Sequence, residues 1–292
     1  MDSSFVIKIF RLNYDIFVAE QQKAATRSLL QKCQVYRLTP VCAMSPLTGD
    51  TPRKGISLTI VHVISLPGSP RRSLMTRQLE EVADLDWRFF DAGRSAPATI
   101  PYDPAAARRA IRRELTPGEL GCYGSHFAVW QAIAAGDDAA AVVLEDDLLI
   151  DPGFFANLPS VVEELAEHPF VRLYAKAPTS ARIIGRAAGR HVVRYRGAAI
   201  GAQGYILRRE GARRWLESIT SVVRPVDDEM ERYWAHGIAN IGLHPFPILE
   251  RVSPSTIEDA RRGIAPPRWH EFGWQWRRAL ESGRRRLANL AS

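Results

Sequence analysis

The sequence predicts an α/β protein, and three observations carry that reading. Ala139–Leu144 (AAAVVL) is a short unbroken apolar run, the pattern of a strand covered on both faces of a sheet. It follows a long helix with clear start and stop signals, Thr116 and Gly136. The chain before them opens strand–helix–strand: Thr59–Leu66, a helix after Pro67-Gly68, and Trp87–Phe90.

Size and composition agree. The 292 residues are 46% hydrophobic and 24% charged, enough for one or two globular domains with a sizeable core. No apolar run approaches the ~20 residues that cross a bilayer. Lys8, Arg11 and Asp15 interrupt any secretory-type apolar core near the start. Cys33, Cys42 and Cys122 are odd in number and lack metal-ligand spacing, so a reducing, cytoplasmic setting is expected. The net charge of +7 sits at the ends. Residues 261–292 hold eight Arg against two Glu, and residues 1–56 hold eight Lys/Arg against four Asp/Glu, leaving a mildly acidic body. A nucleic-acid enzyme carries its positive charge across the body of the domain, so no nucleic-acid partner is expected.

Residues 1–56 contain apolar patches without turn logic, then Pro40, Pro46 and Pro52 with Gly49 and Gly55. They read as a poorly ordered extension or linker; Met44 offers an alternative start, and a docking arm is the rival reading. After the first strand, Ser69 reads as an N-cap with Pro70 at the first helical position. Leu74, Gln78, Leu79 and Val82 form that helix's buried side. Arg71 and Arg72 lie in its first turn. Cations there oppose the helix dipole, a penalty that an anionic partner such as a diphosphate would reverse; the plain alternative is that both are solvated. No G-x-G-x-x-G or P-loop follows the strand, which argues against a dinucleotide oxidoreductase or a P-loop kinase.

Asp103–Leu115 reads as a short basic helix or loop. The long helix follows, with Thr116 at its cap, Pro117 first, and Glu119 placed to reach back to the cap. Leu120, Tyr123, Phe127, Trp130 and Ala134 recur at helical spacing, and Cys122, Val129 and Ile133 form a second apolar stripe. Asp151–His168 reads as a helix and Phe170–Tyr174 as a strand. Gly185–Gly189 reads as the turn of a basic hairpin. Ala198–Leu207 is apolar with Gly201 and Gly204, and glycine inside a strand marks close approach of a ligand or backbone. Glu210–Ile219 is a helix, and Pro225-Val226-Asp227-Asp228 starts another. Ile241–Leu249, interrupted by Pro245 and Pro247, reads as an edge strand or extended loop.

The chemistry concentrates where Ala139–Leu144 runs into Glu145-Asp146-Asp147. Adjacent carboxylates repel, and a hard divalent cation with oxygen ligands removes that cost at the carboxyl end of a strand. In an extended chain residues 145 and 147 point the same way, so Glu145 and Asp147 can share an ion while Asp146 faces the other side. The plain alternative is an acidic turn or a helix cap. His126 reads either as a core histidine or, with Ser125, as a group that positions the donor or the acidic loop. His244 is a further candidate metal ligand.

Together these motifs resemble glycosyltransferase family 25, the lipopolysaccharide and lipooligosaccharide glycosyltransferases. The resemblance rests on Val63–Arg72 with Phe90-Asp91-Ala92, on Leu115–Trp130, on Leu144–Asp147 (LEDD), on Gly204–Leu216 and on Pro225–Asp227, in that order. It covers roughly residues 57–257, between the extension at 1–56 and a basic tail at 258–292. It implies a GT-A-like single nucleotide-sugar-binding domain with a mixed central sheet flanked by helices, a UDP-sugar donor, a divalent metal (Mn²⁺, or Mg²⁺), and inverting transfer, often of galactose, to a lipopolysaccharide-type glycan or lipid-linked acceptor. In that setting Glu145-x-Asp147 looks like the family's metal motif. Ser65, Arg71, Arg72, Ser125, His126, Asp146 and Gly204 form the expected donor-binding set. Inverting transfer needs a general base away from the metal ligands, and Asp227 and Asp228 are the candidates; helix capping is their alternative. Tyr123-Gly124 departs from the family's helix motif, and Gly124 suits close packing of another backbone.

Two other classes compete. A metal-dependent phosphohydrolase or nucleotidyltransferase would want a nucleophilic Asp at the end of the first strand, where this chain has Ser65-Leu66. A non-catalytic sugar- or lipid-binding relative is the other. The tail carries Trp269, Phe272, Trp274 and Trp276, then Arg277, Arg278 and Arg284–Arg286. That pairing suits peripheral contact with an anionic membrane at its cytoplasmic face, or packing of the tryptophans on the domain.

Overall fold

The computed structural model describes residues 59–177 and 179–251, with 280 and 282–284. The extension at 1–56 and the tail, apart from those four positions, lie outside the described residues. Ten strands follow in order: β1 (Ile60–Ser65), β2 (Trp87–Asp91), β3 (Ala140–Glu145), β4 (Leu148–Ile150), β5 (Phe170–Arg172), β6 (Ala181–Ala187), β7 (Arg190–Tyr195), β8 (Gly204–Arg208), β9 (Ile241–His244) and β10 (Ile248–Glu250). The helices of the same region are α1 (Arg71–Glu80), α2 (Pro104–Ile111), α3 (Pro117–Ala135), α4 (Pro152–Ala156), α5 (Leu158–Glu164), α6 (Arg209–Ser218), α7 (Val226–Met230) and α8 (Tyr233–His236).

Eight strands form one mixed sheet in the order β2-β1-β3-β8-β5-β9-β7-β6, and β10 pairs with β4 in a second, two-stranded sheet. β1, β2, β3, β5 and β9 run in one direction, with β8 and β7 against them. The two-residue period of the strands sorts the core onto both faces. Val61, Val63, Val142 and Leu144 pack with Met75 and Leu79 of α1 and with Phe154, Phe155 and Leu158. Ile60, Ile64, Ala141 and Val143 pack on the other face with Tyr123, Phe127 and Trp130 of α3 and Trp215 of α6. Both faces of the strands are covered, which is why their sequences read as continuous apolar runs. This is the layered architecture the resemblance implies, a GT-A-like fold.

Several expectations change. The stretch 151–168 is two short helices rather than one, with the backbone breaking at Asn157 ahead of Pro159. The hairpin turn is Ala188-Gly189, both at positive φ, and Gly185 lies inside β6 beside a register shift. Of Ala198–Leu207 only Gly204 onward is strand; Ile200 and Gly201 take positive φ in the loop before it. β9 is no edge strand but lies between β5 and β7. Its two prolines fall after it, in the link to β10, so no ladder hydrogen bond is lost to them. Pro70, not Ser69, occupies the cap position of α1, although the Ser69 hydroxyl still accepts from the Arg71 N–H at 3.3 Å. No helix among the described residues is long and apolar enough to cross a membrane.

Candidate active site

Helix α3 is the wall on which the site is built. Its start is the expected capping box: Thr116 Oγ1 accepts from the Glu119 N–H at 3.2 Å, and Glu119 accepts from the Thr116 N–H at 2.9 Å. Such a cap contributes ~1 kcal/mol. Arg113 adds two bonds to the same carboxylate, at 2.6 and 2.7 Å. Further along, glycines let the 93–96 loop lie against the helix. A Cβ on Gly124 would fall on the Ser95 carbonyl, and one on Gly121 would come 3.0 Å from the Gly93 carbonyl. Gly124 therefore permits the close backbone packing expected of it. Ser125 closes the same contact. Buried, it donates to the Gly121 carbonyl at 2.7 Å and accepts from the Gly93 N–H at 3.0 Å. Its hydroxyl is spent on backbone rather than directed at the acids.

The acids diverge as the strand ends. Leu144 belongs to the α1-side core, so Glu145 turns to the opposite face, towards α3. There its Oε1 lies 3.3 Å from His126 Nε2 and 3.9 Å from Cys122 Sγ. Asp146 turns to the α1 side. It accepts from Ser65 Oγ at 2.6 Å, Ser69 Oγ at 3.0 Å and Arg71 at 3.4 Å. β3 stops at Glu145 and the chain bends over the next two residues, so the alternation of an extended strand does not reach Asp147. Arg71 holds Asp147 beside Asp146, at 3.3 Å. Glu145 and Asp147 remain electrostatic neighbours, and β10 adds Glu250, brought beside the acidic bend by its pairing with Leu148. Burial first, then Glu145, Glu250 and Asp146, push the Asp147 carboxyl up to about 7 against the opposing pull of Arg71. Its Oδ1 is buried with no hydrogen-bond partner.

A buried carboxylate oxygen without a partner, in the field of three further carboxylates, carries the kind of charge that a hard divalent cation would answer. Cys122, His126 and Glu145 also offer ligand atoms within 4.8 Å of one another, an arrangement compatible with a metal. His244 is elsewhere. It bonds Tyr195 at 3.0 Å, packs on Phe246, and is pushed down to about 4 chiefly by burial, so its contacts lie in that aromatic group and not with the acids.

The remaining expected residues divide. Ser65 and Arg71 join the acidic bend through Asp146. Arg72 is committed to protein: it donates to the Ser65 carbonyl at 2.7 Å, pairs with Asp91, and lies over the Phe89 ring. Gly204 is explained by packing, because a Cβ there would strike Ile248 and Leu144. Asp227 and Asp228 open α7, which packs on α3; the Asp228 charge acts on Arg113, and Asp227 Oδ1 accepts from the Asp228 N–H at 3.1 Å. Neither caps the helix, since Pro225 holds that position. They thus stand by the first turns of α3, and the acids by its middle. Sequence reasoning missed Ser69 as an Asp146 ligand, Tyr205 behind His126, and Glu250. Glu250 had no local signal, because only the β4–β10 pairing places it.

Residues 58–230, more than half of the chain, match glycosyltransferase family 25 (LPS biosynthesis protein). A glycosyltransferase 25 family member of Aedes aegypti is 29% identical over 122 residues, covering 39% of this chain and 20% of that protein. Procollagen galactosyltransferase 1 of Danio rerio is 27% identical over 135 residues, covering 44% and 22%. The inactive glycosyltransferase 25 family member 3 of Homo sapiens is 32% identical over 114 residues, covering 36% and 19%. The chain thus spans about a fifth of the length of these relatives. The matched span carries α3, the Leu144–Asp147 strand end and the start of α7, and with them the chain belongs to glycosyltransferase family 25.

Proposed function

We propose that this protein is a metal-dependent inverting glycosyltransferase that moves a hexose from a UDP-sugar to a glycan or lipid-linked acceptor of the lipopolysaccharide type. The observation that carries the metal is Asp147 Oδ1, buried and unpartnered among Glu145, Asp146 and Glu250. Glu145 and Asp147 would hold the ion, with Mn²⁺ the first choice and Mg²⁺ the second. When bound, it supplies positive charge to the leaving diphosphate. Arg71, in the first turn of α1 and already at the acids, would add to that charge. Asp146, tied to Ser65 and Ser69, fixes the bend against the β1–α1 turn. In the transfer the acceptor oxygen bonds to the anomeric carbon as the bond from that carbon to the phosphate oxygen breaks. The hydroxyl proton passes to a carboxylate, Asp227 or Asp228. Galactose is the proposed sugar, supported by the name of the Danio rerio relative. A lipid-linked acceptor would place the protein at the cytoplasmic face of a membrane, with the Trp/Arg-rich tail as its contact. Cosedimentation with anionic vesicles at low salt, lost on truncation near Ile264, tests that placement.

The decisive experiment incubates the protein with UDP-sugars and Mn²⁺ and follows UDP. Asp147→Asn abolishes Mn²⁺-dependent release with the circular dichroism unchanged. Asp227→Asn or Asp228→Asn lowers kcat by about 10²–10⁴-fold with little change in donor KM. Full activity of the Asp147 variant removes the metal assignment. Release of inorganic phosphate favours a phosphohydrolase, and donor binding without any product favours a non-catalytic relative.

A further inference from the structure

Behind Glu145 runs a line of buried side chains that the transfer reaction itself does not use. Trp130 Nε1 lies 2.8 Å from Tyr205 Oη, which lies 2.8 Å from His126 Nδ1. The other ring nitrogen, Nε2, is 3.3 Å from Glu145 Oε1. Trp130 and His126 have no solvent exposure and Tyr205 has 1%. With a neutral His126, one assignment uses every polar hydrogen in the line. An indole N–H only donates, so the Tyr205 oxygen accepts from Trp130. The tyrosine hydroxyl then has its own proton to give, and His126 Nδ1 is the atom in reach. A neutral imidazole that accepts at Nδ1 carries its proton on Nε2, the nitrogen that faces Glu145. Burial raises Tyr205 well above the ordinary phenol range, so it stays protonated and remains a donor.

The line also constrains the carboxylate. Oε1 is the Glu145 oxygen engaged, by His126 and more weakly by Cys122. Both contacts are made by Oε1, so Oε2 stands outside them. The sheet supplies the stiffness: Tyr205 stands on β8, whose Gly204 pairs with Leu144, and its ring packs against Phe170 and Trp215. His126 itself is fully buried, with one ring nitrogen on Tyr205 and the other on Glu145.

We propose that Trp130, Tyr205 and His126 are positioning residues that turn Glu145 Oε1 to α3 and leave Oε2 for a divalent cation. The proposal rests on the metal reading above, and it assigns His126 to the acid behind the donor rather than to the donor. Partners that orient a metal-ligating group typically change metal affinity by about 10–100-fold when removed.

The test is direct Mn²⁺ titration of the full chain, reading free Mn²⁺ by electron paramagnetic resonance, with nitrogen-15 spectra of the histidine rings. Tyr205→Phe keeps the packed ring and removes only the hydroxyl. It should weaken Mn²⁺ binding about tenfold or more, while kcat at saturating Mn²⁺ stays near wild type. If that variant unfolds, Trp130→Phe removes the indole N–H together with part of the buried ring, and the folded variant should shift Mn²⁺ affinity in the same direction by less. Wild-type His126 should show its proton on Nε2, and Tyr205→Phe should mix the two tautomers. Wild-type Mn²⁺ affinity in folded Tyr205→Phe overturns the positioning role. A proton on Nδ1 in the wild type overturns the line itself, even where Mn²⁺ binds. A cadmium–thiolate ultraviolet band that Cys122→Ser abolishes would make Cys122 and His126 ligands, and overturns it too. If the wild type binds no Mn²⁺ and behaves as Asp147→Asn, the metal reading is what fails, and the cation assignment falls with it.

Discussion

Two buried polar groups in this protein have opposite balance. Around Arg172, on β5, every charge is answered. Its guanidinium donates to Glu231 at 2.8 Å, to Asn240 at 2.8 Å and to the Gly201 carbonyl. Glu231 in turn accepts from the Ile200 N–H and from Asn240, both at 2.8 Å. This closed group pins the 200–201 loop and the end of α7 to the sheet. Around Asp147 the balance fails. Four carboxylates are placed near one another, Arg71 answers part of their charge, and one buried oxygen has no partner. A closed network rigidifies; a buried carboxylate oxygen without a hydrogen-bond partner among other carboxylates is the charge pattern on which the metal proposal rests.

The contrast can be broken at either group. The largest effect is expected at the closed one. Arg172→Met leaves Glu231 buried without its counter-charge and should cost about 3–5 kcal/mol, read from denaturant unfolding, with Arg172→Met/Glu231→Gln losing less than the sum of the single changes. At the open group the sign reverses, because adding charge stabilises. Mn²⁺ at a hundred times its Kd should raise wild-type stability by about 2.7 kcal/mol and leave Asp147→Asn unmoved.

Without metal, the open group should make the wild type pH-sensitive. Asp147 lies at about 7 in the folded protein against an ordinary 3.8, so the folded state holds a proton that the unfolded chain has released. Its contribution is complete below pH 3.8 and is lost as pH rises through 7. Asp147→Asn carries no such charge. It should therefore be more stable than the wild type at pH 8, on the order of 2 kcal/mol, since one pKa unit is about 1.36 kcal/mol and solvent screens part of the shift. The gap should close as pH falls towards 4, and a gap that widens instead would contradict the crowding of the acids. The smallest effect belongs to Ser69→Ala. Asp146 keeps Ser65 and Arg71, so the loss is the Ser69–Asp146 bond and the long one from the Arg71 N–H, about 1 kcal/mol in thermal unfolding.

The sequence by itself determined what local physics controls. The Thr116–Glu119 box, the apolar stripes of α3, the covered runs of β1 and β3, and the carboxylates at a strand's end all follow from spacing and side-chain type. The close approach at Gly124 was legible too, because a glycine inside a strong helix needs a neighbour to explain it. Only the tertiary structure decided how the acids divide. Strand alternation sends Glu145 to α3 and Asp146 to α1, and a bend at the strand's end then returns Asp147 to Arg71. Glu250 reaches the group from about a hundred residues away through the β4–β10 ladder. Tyr205 meets His126 because β8 lies beside β3 in the sheet order. Those contacts are long-range, and pairings between distant strands carry no periodicity that a single chain can display.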